Sequence, residues 1–260
     1  MHFAKILSFA VGAAAVPAFN LPIEIRDAVA SADPDIASSL ISAAGLAWSK
    51  GKQKGWPRPR SCSLSKATLP SFSGDALPAP AGTLAHVLIG RGTQNYTCDT
   101  ANPSSAPVAA GALASLYDAG CVASRLSPFL PYLPMLALLA PNPKQSDDSD
   151  FLHMDLIGRH YFVDAKSPVF NLQTKNGNEG YAQVSKASSA NAPANAMAGA
   201  HGACSWLYLS RNQDVAIASG EKTYSGVYRV NTAGGNAPAT CQGQPAAFEV
   251  EYAAEYWLYQ

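Results

Sequence analysis

The sequence predicts a mainly β protein: a single antiparallel β-sandwich or barrel with an N-terminal helical arm and long loops. Three observations carry that reading. In Phe248–Tyr259 the even positions are Phe248, Val250, Tyr252, Ala254, Tyr256 and Leu258, while Glu249, Glu251 and Glu255 fall on the odd ones. Such period-2 alternation predicts a long strand with one buried face. Leu84–Cys98 sets Leu84, Val87, Leu88 and Ile89 on both faces of an extended segment, as in a strand covered on both sides. Between these two, short alternating runs recur with turn residues separating them, which is the sequence habit of a sandwich or barrel.

In chain order, Met1–Lys5 is a short basic region, Ile6–Val16 an apolar run, and Val16-Pro17-Ala18 offers small residues for cleavage. Residues 1–18 therefore read as a secretory signal peptide, too short to be a membrane span. Residues 19–60 read as a helical arm and basic linker. Asp33 is a candidate N-cap with Pro34 at the first helical position, and Ile36, Leu40, Ile41, Ala44 and Trp48 follow at helical spacing. Lys50, Lys52, Lys54, Arg58 and Arg60 make the linker a solvated basic hinge. Residues 61–260 are the predicted secreted β-domain.

Within that domain, Cys62–Leu84 is rich in Pro, Ser and Ala and reads as extended. Gly90-Arg91-Gly92 is expected to break the first strand into a hairpin or corner. Asn95-Tyr96-Thr97 is a glycosylation sequon with Asn95 on an outward face. Gly111–Asp118 is ambiguous between helix and strand. Leu126–Ala140 carries Pro128, Pro131 and Pro134, so it is a buried irregular loop or short helix and no membrane span. Asp147, Asp148 and Asp150 lack the glycine and distal glutamate of a calcium loop. Gly158–Gln173 reads as two strands around a Pro-containing bend, Ser185–Ala203 as a long loop, Trp206–Leu209 and Tyr224–Val230 as strands, and Thr232–Pro238 as a turn.

Charged residues are 14% of the 260 and formal net charge is zero, which argues against a nucleic-acid binder. Five cysteines in an oxidising compartment allow two bridges and one free thiol. Cys204, in a run of Ala and Gly, is the candidate free thiol. Cys62, Cys98, Cys121 and Cys241 then allow three connectivities.

Neither HExxH nor GxSxG occurs, and GRGTQN lacks the third glycine and following helix of a nucleotide fingerprint. No cofactor and no metal site is expected. His201 and Cys204 supply two metal ligands at most, short of what zinc needs. His160 and Asp164 share a strand face but lie about 13 Å apart along it, too far for a direct dyad. His160, Asp164, Gln94 and Arg229 are the candidates for chemistry. Arg229 reads first as the partner of Glu249 or Glu251 across the sheet, otherwise as a receptor for an anionic ligand. Tyr161, Trp206, Trp257 and Tyr259 are the candidates for binding, since exposed aromatics stack on sugars and other flat ligands.

GTQNYTC (Gly92–Cys98), GRHYF (Gly158–Phe162), WLYL (Trp206–Leu209), VYRVNTAGGNAPATC (Val227–Cys241) and VEYAAEYWLY (Val250–Tyr259) together resemble, over about residues 60–260, the domain-of-unknown-function 3455 family. Its members are secreted proteins of filamentous fungi and bacteria, some labelled malate dehydrogenase-like, a label these residues do not support. The resemblance implies a secreted β-domain. It also implies a Cys98–Cys241 bridge, with Cys62–Cys121 the second, and leaves Cys204 unpaired. The expected function is non-catalytic binding outside the cell, of cell-wall carbohydrate or a small extracellular ligand. The alternative is a secreted enzyme with a histidine/acid site around His160.

Overall fold

The computed structural model describes residues 62–71, 77–139, 154–175, 177–194, 196, 199, 201–216 and 220–260. The predicted signal peptide, helical arm and linker, Asp147, Asp148 and Asp150, and His153 lie outside the described residues.

Eight strands form a closed barrel in which each pairs antiparallel with the next and the last returns to the first. They are β1 (Leu84–Thr97), β2 (Val108–Asp118), β3 (Leu156–Phe162), β4 (Pro168–Thr174), β5 (Gly177–Ala190), β6 (Trp206–Arg211), β7 (Gly226–Gly234) and β8 (Ala247–Tyr259). Closure pairs every strand on both sides over part of its length, while β5 beyond Gln183 pairs with β6 alone. Between β2 and β3 run α1 (Gly120–Arg125), a 3₁₀ turn (Ser127–Tyr132) and α2 (Leu133–Leu139). α2 packs on the outside of β1, β7 and β8.

Two apolar cores result, one on each side of the wall. Inside, Leu88, Leu116, Phe170, Leu172, Val227, Tyr256 and Leu258 fill the barrel. Outside, Val87, Ile89, Tyr117, Trp206, Tyr228, Val230 and Trp257 pack beneath α2 and its neighbours. Each strand feeds both cores by alternation.

This corrects several expectations. β8 is buried on both faces from Tyr252 to Tyr259, because α2 covers the side that its glutamates suggested was wet. β1 runs unbroken through Gly90 and Gly92. Gly90 is there because a Cβ would meet the Tyr256 ring at 2.4 Å, and Gly92 because the Leu113 carbonyl would lie only 1.8 Å from a Cβ. β5 extends to Ala190 into the tract read as a loop, β7 reaches Gly234 in the stretch read as a turn, and the ambiguous Gly111–Asp118 is strand.

Cys62 bonds Cys121, tying the segment before β1 to α1. Cys98 bonds Cys241, joining the β1–β2 and β7–β8 loops at one end of the barrel. Cys204 is a buried free thiol. Two disulfides are compatible with an oxidising, extracellular compartment. Among the described residues no helix is long and apolar enough to cross a membrane.

Candidate functional site

The register fixes which end of the barrel is which. Thr97 lies beside Ala247 and Val108, Phe162 beside Pro168, and Ala190 beside Trp206. The β1–β2, β3–β4, β5–β6 and β7–β8 loops therefore share one end, here the mouth. Inward side chains near the mouth are half-buried: Gln94, Tyr96, Phe162, Leu207, Arg229 and Val250. Toward the other end, Leu116, Leu172, Leu209, Tyr224, Val227 and Leu258 are fully buried. The interior is thus packed shut at the bottom and accessible from the mouth down to Arg229.

The floor of this cup is aromatic and polar. His160 stacks on Phe170, ring centroids 4.4 Å apart, and both meet Tyr256 from across the barrel at 5.6 and 5.1 Å. The His160 Nδ1 lies 2.9 Å from the Val169 carbonyl. A carbonyl only accepts, so Nδ1 carries the proton and Nε2 keeps its lone pair. Burial drives His160 down to about 4, helped by the Arg229 charge and opposed by the Val169 bond. It is neutral at physiological pH. The Tyr252 and Tyr256 hydroxyls are 2.9 Å apart. Burial holds Tyr252 far above the ordinary phenol range and Tyr256 at about 12, so both stay protonated.

Arg229 is the one half-buried charged side chain on this inner wall near the mouth among the described residues; Lys186, opposite the inward Leu209, is exposed. Its register partners are Leu207 and Tyr256, both inward. Nε and Nη2 donate to the Ser205 carbonyl at 3.2 and 2.8 Å, and the guanidinium also donates to Tyr256. Burial lowers its pKa, but the surrounding Cys204 thiol and the Tyr256, Tyr252 and Tyr96 phenols raise it on balance, so it remains a cation. No carboxylate neutralises it among the described residues. The pairing with Glu249 or Glu251 is overturned: those glutamates are on the outer face of β8, where Glu251 bonds Arg91 at 2.7 Å.

Gln94 also points inward. Its Nε2 is buried without a hydrogen-bond partner among the described residues. Tyr96 donates to the Gly235 carbonyl, and Cys204 packs over the same glycine.

The remaining candidates do not join this group. Asp164 is exposed in the β3–β4 turn, where it accepts from the Lys166 backbone N–H and the Ser167 hydroxyl. Those bonds lower its pKa and make it a turn-former. Tyr161 is half-buried on the outer face of β3. Trp206, Trp257 and Tyr259 belong to the outer core, with Trp257 and Tyr259 only 1% and 7% exposed, so none offers a stacking surface. Asn95 sits on the outer face of β1, half-buried, with Thr97 exposed. His201 is exposed, and among the described residues no three His, Cys, Asp or Glu side chains gather as metal ligands.

Sequence reasoning missed Tyr252, Tyr256 and Cys204 as members of the site. The signal for the tyrosines was visible: two polar-tipped residues on an otherwise apolar face of β8. Cys204 had none, since a loop places it. At the far end lies a groove of about 350 Å³ lined by Arg211, Gln213, Lys222, Thr223, Ser225 and Gln260. Lys222 is neutralised there by Glu179 at 2.9 Å.

Fold and site together define an eight-stranded up-and-down barrel whose inner wall sets a half-buried arginine above buried tyrosines near one end. The family described as protein of unknown function (DUF3455) matches residues 78–260, and the chain belongs to it. No curated protein and no solved structure gives a significant match.

Proposed function

We propose that the chain is a secreted, non-catalytic binding protein whose barrel takes one small extracellular ligand through the mouth. Residues 1–18 act as the signal peptide, 19–60 as an arm and linker, and 61–260 as the binding domain, with Asn95 available for glycosylation. The observation that carries the reading is the asymmetry of the interior, packed at the bottom and half-exposed at the mouth. Eight-stranded barrels are just wide enough either to fill with side chains or to hold one small ligand. Wall carbohydrate is the weaker partner, because the aromatics that would stack on sugars are buried in the outer core.

An enzymatic reading has one observation in its favour, the neutral His160 beside Tyr256 with its Nε2 lone pair free of the Val169 bond. Among the described residues no acid joins it, since Asp164 stands in an exposed turn. Native mass spectrometry of protein from culture medium tests the binding reading. The expected result is a chain starting at Phe19 with excess mass that disappears on denaturation. A native mass equal to the denatured mass would sink it.

A further inference from the structure

We infer that the ligand is a monoanionic carboxylate with a flat apolar body, its carboxylate seated on Arg229 and its body directed toward the mouth. This rests on the proposed binding function and deepens it. Arg229 carries the only half-buried formal charge found on the inner wall near the mouth among the described residues, because Lys186, opposite the inward Leu209, is exposed to water and His160 and the tyrosines there are neutral. The acids of β8 cannot compensate it. Glu251 bonds Arg91 outside the wall, and Glu255, also outside, accepts from Asn231 at 2.7 Å and Trp257 at 3.0 Å.

A guanidinium presents five N–H donors in a fork suited to a carboxylate. Two groups of Arg229 are directed at one carbonyl oxygen, that of Ser205, and a third bond goes to Tyr256. Donors are left over. The buried Nε2 of Gln94 is a second donor with no acceptor. Donors left without acceptors inside a protein call for an acceptor from outside. One uncompensated cation calls for one negative charge. The walls above it, Phe162, Leu207, Tyr96 and Phe248, are apolar or aromatic and half-exposed, which suits a flat hydrophobic body.

The test titrates the full chain by calorimetry with benzoate, its neutral isostere benzamide, and inorganic phosphate. Wild-type protein is expected to bind benzoate at least about tenfold more tightly than benzamide, and phosphate more weakly still. Arg229→Gln should erase the preference for benzoate. Equal binding of benzoate and benzamide, or an unchanged preference in R229Q, overturns the assignment. Phosphate binding as tight as benzoate overturns the flat-body half of it. Should R229Q not fold, Arg229→Leu carries the test: the preference for benzoate over benzamide should be lost, and an unchanged preference overturns the proposal. Failure to bind benzoate, in protein whose native mass reveals a neutral passenger, overturns the anion and leaves the binding function standing. Failure of both removes both.

Discussion

Arg91 and Arg229 are the same residue on opposite sides of one wall, and the protein treats them differently. Arg91, on the outer face, is 1% exposed. It donates to the carbonyls of Gly92, Tyr252 and Leu138 and pairs with the Glu251 carboxylate. Arg229, on the inner face, has a carbonyl and a phenol but no counter-charge. The outer region also satisfies its buried acid, Glu255, with two donors. Buried atoms without a hydrogen-bond partner among the described residues occur on both faces, Gln94 Nε2 inside and Ser188 Oγ outside, so the counter-charge is what separates the two regions. Polar groups that serve only the fold are completed within the chain, because an orphaned buried group costs roughly 1–3 kcal/mol. A cation left without a counter-charge among the described residues marks the inner region as different.

If the outer region holds the fold, damage there should cost the most. Trp257 is 1% exposed, packs in the outer core and donates to Glu255. Trp257→Ala removes a large ring and leaves the buried carboxyl with one donor fewer. The expected loss is about 4 kcal/mol, measured by urea denaturation. A loss below about 1 kcal/mol would end the division of labour.

The two regions also answer pH with opposite signs. Burial pushes Glu255 from 4.5 to about 7, although its bonds to Trp257 and Asn231 pull it down. Between those values the native carboxyl keeps a proton that the unfolded one has lost, so this contribution falls as pH rises through the window. Burial pushes His160 from 6.5 down to about 4. There the unfolded chain holds the extra proton, so this contribution falls as pH drops from 6.5 toward 4. Each amounts to roughly 3 kcal/mol across its window. The same opposition recurs at the bottom of the barrel, where burial lowers His86 and raises Asp118. Wild-type stability should therefore change little between pH 4.5 and 6.5, and single variants should unmask the slopes. Glu255→Gln is expected to leave stability rising with pH, and His160→Phe to leave it falling. Denaturation midpoints across pH check this, and slopes of the same sign in both variants would refute it.

What was legible in the sequence divides along the same wall. β8 was readable because its alternation is strict, and β3 and β4 because turn residues bound them. Burial of the outer face of β8 was half-written: Glu249 and Glu251 argue for water, but Ala253, Trp257 and Tyr259 continue the same face as an apolar run. The covering helix is distant in sequence, so alternation alone does not predict it. Gly90 and Gly92 read as a break because close approach across a wall looks, in one dimension, like a turn. The Ala/Ser stretch of β5 has poor strand propensity, and pairing with β6 overrides it. Barrel and sandwich share the same alternation, so closure was not decided before the register was known. The cysteine pairing came from the family resemblance, since spacing left three connectivities open. Arg229, Gln94 and His160 were readable as residues of interest. Their common placement inside was not, because it depends on which strands meet across the barrel.

The smallest effect expected is also the one that most sharpens the comparison. Arg91→Leu removes a donor from three backbone carbonyls, those of Gly92, Tyr252 and Leu138 in α2, and frees Glu251, itself 55% exposed, to water. It should cost roughly 2–3 kcal/mol. Arg229→Leu removes a half-buried charge that no carboxylate offsets among the described residues. The leucine fills part of the same space beside Leu207 and Tyr256, and the cost of burying the cation disappears with it. Replacing buried charges with apolar residues of similar volume is often neutral or stabilising. Against that stand the two lost bonds to the Ser205 carbonyl and the one to Tyr256. The net change should lie within about 1 kcal/mol of zero, at the same time as carboxylate binding is lost. Thermal melts of the two variants side by side decide the matter. Equal destabilisation would make Arg229 one more structural arginine, and the incomplete interior would lose its claim to be a site.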